Sequence, residues 1–193
     1  MIIKIDVDGV IRNITKPMTE LYERDFGDTI SEDDFTDYDV DVVFPKLNGK
    51  AREYFFIENG KYVFKDGATV IDGAKEAIDI LHNAGHKIVI VTWQIGLANK
   101  IYTLQFLEEH GIYYDDICFT RDKDIVFGDV IIDDNPEFLE NEENALKVCV
   151  NAPYNANYNP LNTIKVNKLF DLTEILAVCG EVKNKNEKYG KKL

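Results

Sequence analysis

Two pairs of carboxylates stand out because each closes an apolar run. Ile2 to Val7 is a short hydrophobic stretch ending in Asp6-Val7-Asp8-Gly9, and Ile131-Ile132 runs into Asp133-Asp134-Asn135-Pro136. Along a strand, side chains at i and i+2 share a face, so Asp6 and Asp8 point the same way while Val7 turns to the core. Such a pair could hold Mg²⁺, which takes one or two carboxylates plus substrate phosphate and keeps several waters. An EF-hand calcium loop is a poor fit, since Gly9 comes before a third oxygen ligand. Taken alone, Asp-Val-Asp-Gly is equally an acidic turn without chemistry, because short patterns recur by chance. Its company changes that. Lys87 to Thr92 (KIVIVT) ends in a hydroxyl able to meet a phosphate oxygen, and Lys123 in Thr120-Arg121-Asp122-Lys123 puts a cation ten residues ahead of Asp133. Acidic pair, hydroxyl, lysine, acidic pair, in that order at successive strand ends, is a specific constellation.

The elements that must position these groups follow from periodicity. Apolar runs at Ile2 to Val7, Lys87 to Thr92, Asp129 to Ile132 and Leu146 to Val150 read as buried strands. Between them, Asp72 to Asn83 places Ala74, Ala77, Ile78 and Leu81 on one helical face, and Leu97 to Glu109 aligns Ile101, Leu104 and Leu107. The alternation predicts an α/β fold with a doubly wound parallel sheet, whose strand C-termini are where ligands bind. A crossover needs about a dozen residues, yet the second strand starts far beyond the first. The excess predicts an insertion after the first strand, a small helical cap over residues 14–70, with Thr15 to Phe26 and Pro45 to Phe56 helical. Residues 1–13 and 71–180 form the core in this reading, and 181–193 a Lys/Asn-rich solvated tail.

With those motifs in hand, DVDGV, VIVT, TRDK and IIDDNP resemble the four motifs of the haloacid dehalogenase superfamily of Mg²⁺-dependent phosphotransferases. The spacing from TRDK to IDD and the early cap are most similar to its 5′(3′)-deoxyribonucleotidase-like branch. The resemblance spans residues 1 to about 150 and implies a Rossmann-type core. It implies that Asp6 is the nucleophile, forming an aspartyl-phosphate, and that Asp8 is general acid and then base. Mg²⁺ would be held by Asp6, the Asp8 backbone carbonyl and Asp134, with Asp133 in support. Thr92 and Lys123 would bind the phosphoryl oxygens. The implied substrate is a small phosphorylated metabolite, a nucleoside monophosphate; a sugar phosphate, or a non-catalytic binding protein on the same fold, are the alternatives. Trp93 departs from the family, where a small polar residue commonly follows the hydroxyl. It reads as packing under the cap or stacking on a base, with Gln94 or a backbone N–H supplying the missing phosphate contact.

Composition sets the limits. The chain has 193 residues, 22 Lys plus Arg against 35 Asp plus Glu, and a formal charge of −13. Long nucleic acids and anionic membranes are poor partners for such a surface. No run approaches the roughly 20 apolar residues of a membrane helix. Cys118, Cys149 and Cys179 are odd in number and widely spaced, which predicts reduced thiols and a cytoplasmic protein; a homodimer is left open. The ten acids between Glu20 and Val42 are expected to form a solvated outer surface, with Ser31 capping Glu32-Asp33-Asp34. Phe35, Tyr38, Phe44, Tyr54, Phe55 and Phe56 should be mostly cap core, leaving one or two rings to the site. Arg12 either reaches substrate or pairs with the acidic cap. His82 and His86 are an improbable metal pair, because Gly85 ends the helix between them, and His110 is an ordinary residue for a helix C-terminus.

Overall fold

The structure, a computed structural model, describes residues 1–173. Strand β1 (Ile2–Ile5) lies near the centre of a parallel sheet, with Ile3 and Ile5 fully buried. A two-residue strand β2 (Arg12–Asn13) follows, then helix α1 (Thr15–Phe26), the short helices α2 (Val40–Val43) and α3 (Ala51–Glu53), and strand β3 (Thr69–Val70). The remaining elements are α4 (Ala74–Asn83), β4 (Lys87–Thr92), α5 (Gly96–Glu109), β5 (Asp116–Phe119), β6 (Val130–Asp133), α6 (Pro136–Glu140), β7 (Leu146–Val150) and β8 (Thr163–Val166), with only a 3₁₀ turn between β5 and β6 and between β7 and β8.

The six-stranded sheet runs in the order β5-β4-β1-β6-β7-β8, and all its pairings are parallel. From β1 the chain moves outward through β4 and β5, then returns to the other side of β1 and continues through β6, β7 and β8. Connections leaving β1 and β6 therefore diverge, which opens a crevice at their C-terminal ends. Register places both acidic pairs there: Ile5 pairs with Ile132, and the Asp6 amide donates to the Ile132 carbonyl at 3.0 Å. Strands β5 and β8 were missing from the sequence reading. Both lie at sheet edges, and their side chains are only partly buried, so neither shows an uninterrupted apolar run.

The stretch expected as a cap over 14–70 is bracketed by an antiparallel ribbon, where Arg12 pairs with Val70 and Asn13 with Thr69. Its own core packs Met18, Leu21, Tyr22, Phe44, Phe55 and Val63. Phe44 is edge-on to Tyr22 and Phe35 at 4.9 and 5.3 Å between centroids. The expected helix over Pro45 to Phe56 is broken. Pro45–Leu47 is one 3₁₀ turn; Asn48 and Gly49 then take positive φ (51° and 77°), and α3 runs into a π-helical turn, Tyr54–Glu58.

Helix α4 buries Ala74, Ala77, Ile78 and Leu81, the predicted face. Helix α5 does not follow its prediction. Asn99, Thr103, Phe106 and Leu107 are buried, whereas Leu97 is 74 % exposed and Ile101 and Leu104 face solvent in part. The inward polar residues have partners in or at the insertion: Asn99 Nδ2 donates to the Phe56 carbonyl at 2.8 Å, and the Thr103 hydroxyl accepts from Arg12. Among the described residues no helix is long and apolar enough to cross a membrane. Cys118 and Cys149 are free thiols, Cys149 fully buried; Cys179 and the tail from 181 lie outside the described residues.

Candidate active site

Asp6, Asp8, Thr92, Lys123 and Asp134 line one cleft of about 300 Å³ between the strand ends and the insertion. Asp6 follows β1, Asp133 ends β6 and Asp134 follows it, Thr92 ends β4, and Lys123 opens a 3₁₀ turn, Lys123–Ile125. Lys123 is nearly fully buried, with its ammonium 2.6 Å from Asp133 Oδ2, 3.0 Å from Asp6 Oδ1 and 4.3 Å from the Phe138 ring centroid. Asp133 also accepts from the Asn135 amide at 2.9 Å, so both its oxygens have protein partners. The Asn135 side chain accepts from the Glu137 amide and caps α6, which Pro136 opens.

Gly9 is required by its surroundings. Its φ is +78°, and a Cβ there would lie 2.6 Å from Asp134 Cγ and 3.0 Å from the Tyr154 hydroxyl. Asp134 accepts a short hydrogen bond from that hydroxyl, and its main-chain carbonyl accepts from Asn155 Nδ2 at 2.7 Å. Tyr154 in turn meets Tyr38 of the insertion edge-on at 5.8 Å.

The charges do not balance. Burial pushes the Asp6 carboxyl up to about 7; Lys123 opposes this, while Asp133 and Asp8 add to it. Asp134 is held well above the carboxylate range, by burial first and then by Asp133 and Asp6. For Lys123, burial favours the neutral form, but Asp133 and Asp6 outweigh it and keep the ammonium charged.

A divalent cation fits this deficit. Asp6, Asp133 and Asp134 each offer an oxygen within 4.8 Å of the others. Asp6 Oδ1 is buried and faces the Lys123 ammonium at 3.0 Å in an ion pair that Lys123 shares with Asp133. The donor set is all oxygen, the preference of Mg²⁺.

The Asp8 side chain stands apart from this cluster. Its Oδ1 accepts from Arg12 Nε at 2.7 Å and its Oδ2 from Gln94 Nε2 at 2.6 Å. Arg12 is thus neither a substrate contact nor a partner of the acidic surface, and the Gln94 amide is engaged with Asp8. Trp93 lines the cleft with Arg121 over its ring at 5.3 Å. Of the insertion's rings, Phe35, Tyr38, Phe56 and Phe64 reach the cleft, while Phe44 and Phe55 are fully buried in its core. The acidic stretch is not wholly an outer surface: Glu32, Asp33 and Asp37 rim the cleft, and Glu32 accepts from Asn13 and Thr15. Ser31 and Asp34 form the expected cap, but over a single 3₁₀ turn. His82 packs on Tyr113 at 3.7 Å, and His86 precedes β4 at the opposite end of the sheet from the cleft. His110 closes α5, its ring nitrogen 2.9 Å from the Phe106 carbonyl. Sequence reasoning missed Tyr154 and Asn155, whose only local signal was an aromatic-amide pair just beyond a strand end.

Comparisons with known proteins agree with this geometry. Residues 1–178 match the family described as "5' nucleotidase, deoxy (Pyrimidine), cytosolic type C protein". A curated protein of Chlorobaculum tepidum, named "Putative 5'(3')-deoxyribonucleotidase", is 25% identical over 146 residues, covering 71% of each chain. Among solved structures, a "Putative haloacid dehalogenase-like hydrolase" of Bacteroides fragilis superposes with a TM-score of 0.58 at 15% identity, over 89% of this chain and 98% of its own. The D,D-heptose 1,7-bisphosphate phosphatase of B. bronchiseptica, solved with magnesium and phosphate, gives 0.51 at 17% identity, over 91% and 97%. On the extent of the family match and the shared fold, the chain belongs to the 5′ nucleotidase, deoxy (pyrimidine), cytosolic type C family and is a phosphomonoester hydrolase of haloacid dehalogenase-like fold.

Proposed function

We propose that this hydrolase removes phosphate from nucleoside monophosphates, the deoxyribonucleotides foremost, with Mg²⁺ and through an aspartyl-phosphate on Asp6. The observation that carries the reading is the cluster of buried carboxylates Asp6, Asp133 and Asp134 beside one lysine. Asp6 and Asp134, with the Asp8 main-chain carbonyl, would hold the ion, and Asp133 would support Lys123. When bound, Mg²⁺ supplies positive charge that keeps the neighbouring carboxylates ionised and draws electrons from the phosphoryl group. Thr92 and Lys123 hold the phosphoryl oxygens, and Lys123 offsets charge that builds up on them. The Asp6 carboxylate attacks phosphorus as the ester P–O bond breaks, and Asp8 gives its proton to the departing alkoxide. Asp8, now a carboxylate, takes a proton from water as the water oxygen displaces Asp6 from phosphorus. Residues 14–70 act as the cap that excludes bulk water and meets the leaving group. Tyr38 and Phe56 offer faces for a base, a contact worth about 1–3 kcal/mol in single-strand binders.

The test is phosphate release from deoxyribonucleotides, ribonucleotides and sugar phosphates, with Mg²⁺ or with EDTA. Mg²⁺-dependent turnover, highest kcat/KM on a nucleotide and loss of activity in Asp6→Asn are expected. Comparable turnover by Asp6→Asn would refute the mechanism; a sugar phosphate outrunning every nucleotide would refute the substrate.

A further inference from the structure

The residue that most shapes the general acid is one the sequence could not assign. Arg12 is fully buried, and its guanidinium is divided among three elements. Nε donates to Asp8 Oδ1 at 2.7 Å, one terminal nitrogen to the Phe64 carbonyl at 2.6 Å, and the other to the Thr103 hydroxyl at 3.1 Å. The Phe64 and Phe106 rings lie 5.1 and 5.2 Å from its central carbon. Phe64 sits in the π-helical turn Tyr62–Asp66, where the chain leaves the insertion, and Thr103 and Phe106 sit on α5. A planar guanidinium held by three acceptors and lying against two aromatic rings has little freedom, and the carboxylate it holds inherits that rigidity.

We infer that Arg12 is a positioning residue, which with Gln94 fixes the Asp8 carboxyl for proton transfer to the leaving group and ties that geometry to the seating of the insertion. Arg12 claims Oδ1. Gln94, at 2.6 Å from Oδ2, is uncharged and takes one of that oxygen's two lone-pair sites. Each oxygen accepts one hydrogen bond, but Oδ1 faces a fixed cation, which disfavours a proton there, so Oδ2 is the atom that exchanges it: it protonates the alkoxide oxygen as the P–O bond breaks, and later accepts a proton from the attacking water. Loss of Arg12 frees the Asp8 side chain to rotate, with Asp6, Lys123 and Asp134 untouched. A displacement of the insertion would act through the Phe64 carbonyl on the same hydrogen-bonded set.

The inference rests on the proposed hydrolysis, and leaving-group dependence separates the two. An alkyl ester, such as a nucleoside monophosphate, needs a proton on its departing oxygen; a nitrophenyl phosphate departs without one. Wild type, Arg12→Met, Arg12→Lys and Gln94→Met are compared on both substrates, with circular dichroism and thermal melting to score folding. We expect kcat on the alkyl ester to fall by roughly 10–100-fold in Arg12→Met, with less than about a threefold fall on the aryl ester and little change in KM. Arg12→Lys should recover only part of the loss, because an ammonium cannot hold three acceptors in one plane. Gln94→Met removes no charge, so it should fold even where Arg12→Met does not, and it should show the same selective loss at smaller amplitude. A wild type inactive on both esters overturns the proposed function. Equal losses on the two esters in an active enzyme, in whichever variants fold, overturn the assignment of Arg12 and Gln94.

Discussion

Lys4 offers the sharpest test of how the sheet supports the lysine of the site. It lies on the central strand, 1 % exposed, and its ammonium donates to the Val126 carbonyl at 2.8 Å, to the Lys123 carbonyl at 3.3 Å and to the Glu142 carboxylate. Its stem fills the space beside Gly128, where a Cβ would come within 2.7 Å of Lys4 Cγ. Lys4→Met keeps the stem and removes the charge. Glu142 is 5 % exposed, so its carboxylate would be left buried without a counter-ion, a loss of about 3–5 kcal/mol. At this chain length each kcal/mol moves Tm by about 2–4 °C, so a fall of about 10 °C is expected. The partner change Glu142→Gln keeps the acceptor for the Asn144 amide, 3.1 Å away. In the double variant it should therefore recover about half the loss; adding the cost of Glu142→Gln alone, the coupling is at least about 2 kcal/mol. The pH dependence has a defined sign. Burial alone would raise the Glu142 pKa, but hydrogen bonds from Lys4 and the Asn144 amide hold it below its ordinary 4.5. In wild type its stabilisation is complete above that value and is lost as pH falls through the lower folded value; in Lys4→Met burial raises the carboxyl instead, so the gap between the two should narrow on acidification, starting above 4.5 as the variant's buried charge is neutralised. Urea unfolding at pH 7 and at acid pH measures both quantities. A loss under about 1 kcal/mol, as for an exposed pair, or a double variant no more stable than Lys4→Met, would refute the reasoning.

Other consequences are as direct. Gly9→Ala must move Asp134, since the added carbon would sit 2.6 Å from Asp134 Cγ at a φ of +78°. We expect about 1–3 kcal/mol of destabilisation and a larger proportional loss of kcat, measured by melting and phosphate release. Tyr154→Phe removes the hydroxyl that orients Asp134 and should weaken Mg²⁺ binding by about tenfold in calorimetry while leaving the melting temperature of the ion-free protein nearly unchanged.

What the sequence made legible depends on how local each signal is. Strands β1, β4, β6 and β7 are largely buried and announce themselves as apolar runs; the edge strands are partly exposed, and β5 opens on Asp116 while β8 alternates Thr163 and Lys165 with apolar residues. That Asp6, Asp8, Thr92, Lys123 and Asp134 would meet in one cleft was legible because strand ends place them and their order along the chain is itself a pattern. Arg12, Gln94 and Tyr154 were not, because each is defined by a partner that only the fold supplies. Gln94 meets Asp8 across the sheet, and Tyr154 meets Asp134 across β7. Helix α5 shows the same limit from the other side. Ile101, Leu104 and Leu107 read as one core face, yet of the three only Leu107 is buried, and the inward face also carries Asn99 and Thr103, which meet a backbone carbonyl and a buried guanidinium.

The ribbon of β2 and β3 matters beyond its four residues. By pairing Asn13 with Thr69, it makes the insertion leave the core within one strand spacing of where it entered. To a folding chain this is a shortcut: once the ribbon closes, the path from Ile5 to its partner Ile90 contracts roughly threefold, lowering the closure entropy of the central pairing by about 1 kcal/mol. To an evolving chain it is a socket, since whatever lies between Asn13 and Thr69 can lengthen, shrink or be exchanged without disturbing the parallel sheet. The pairing that carries the insertion thus leaves its hold on the sheet side to a few side-chain contacts, among them Arg12 with Phe64, Asn99 with Phe56 and Tyr154 with Tyr38.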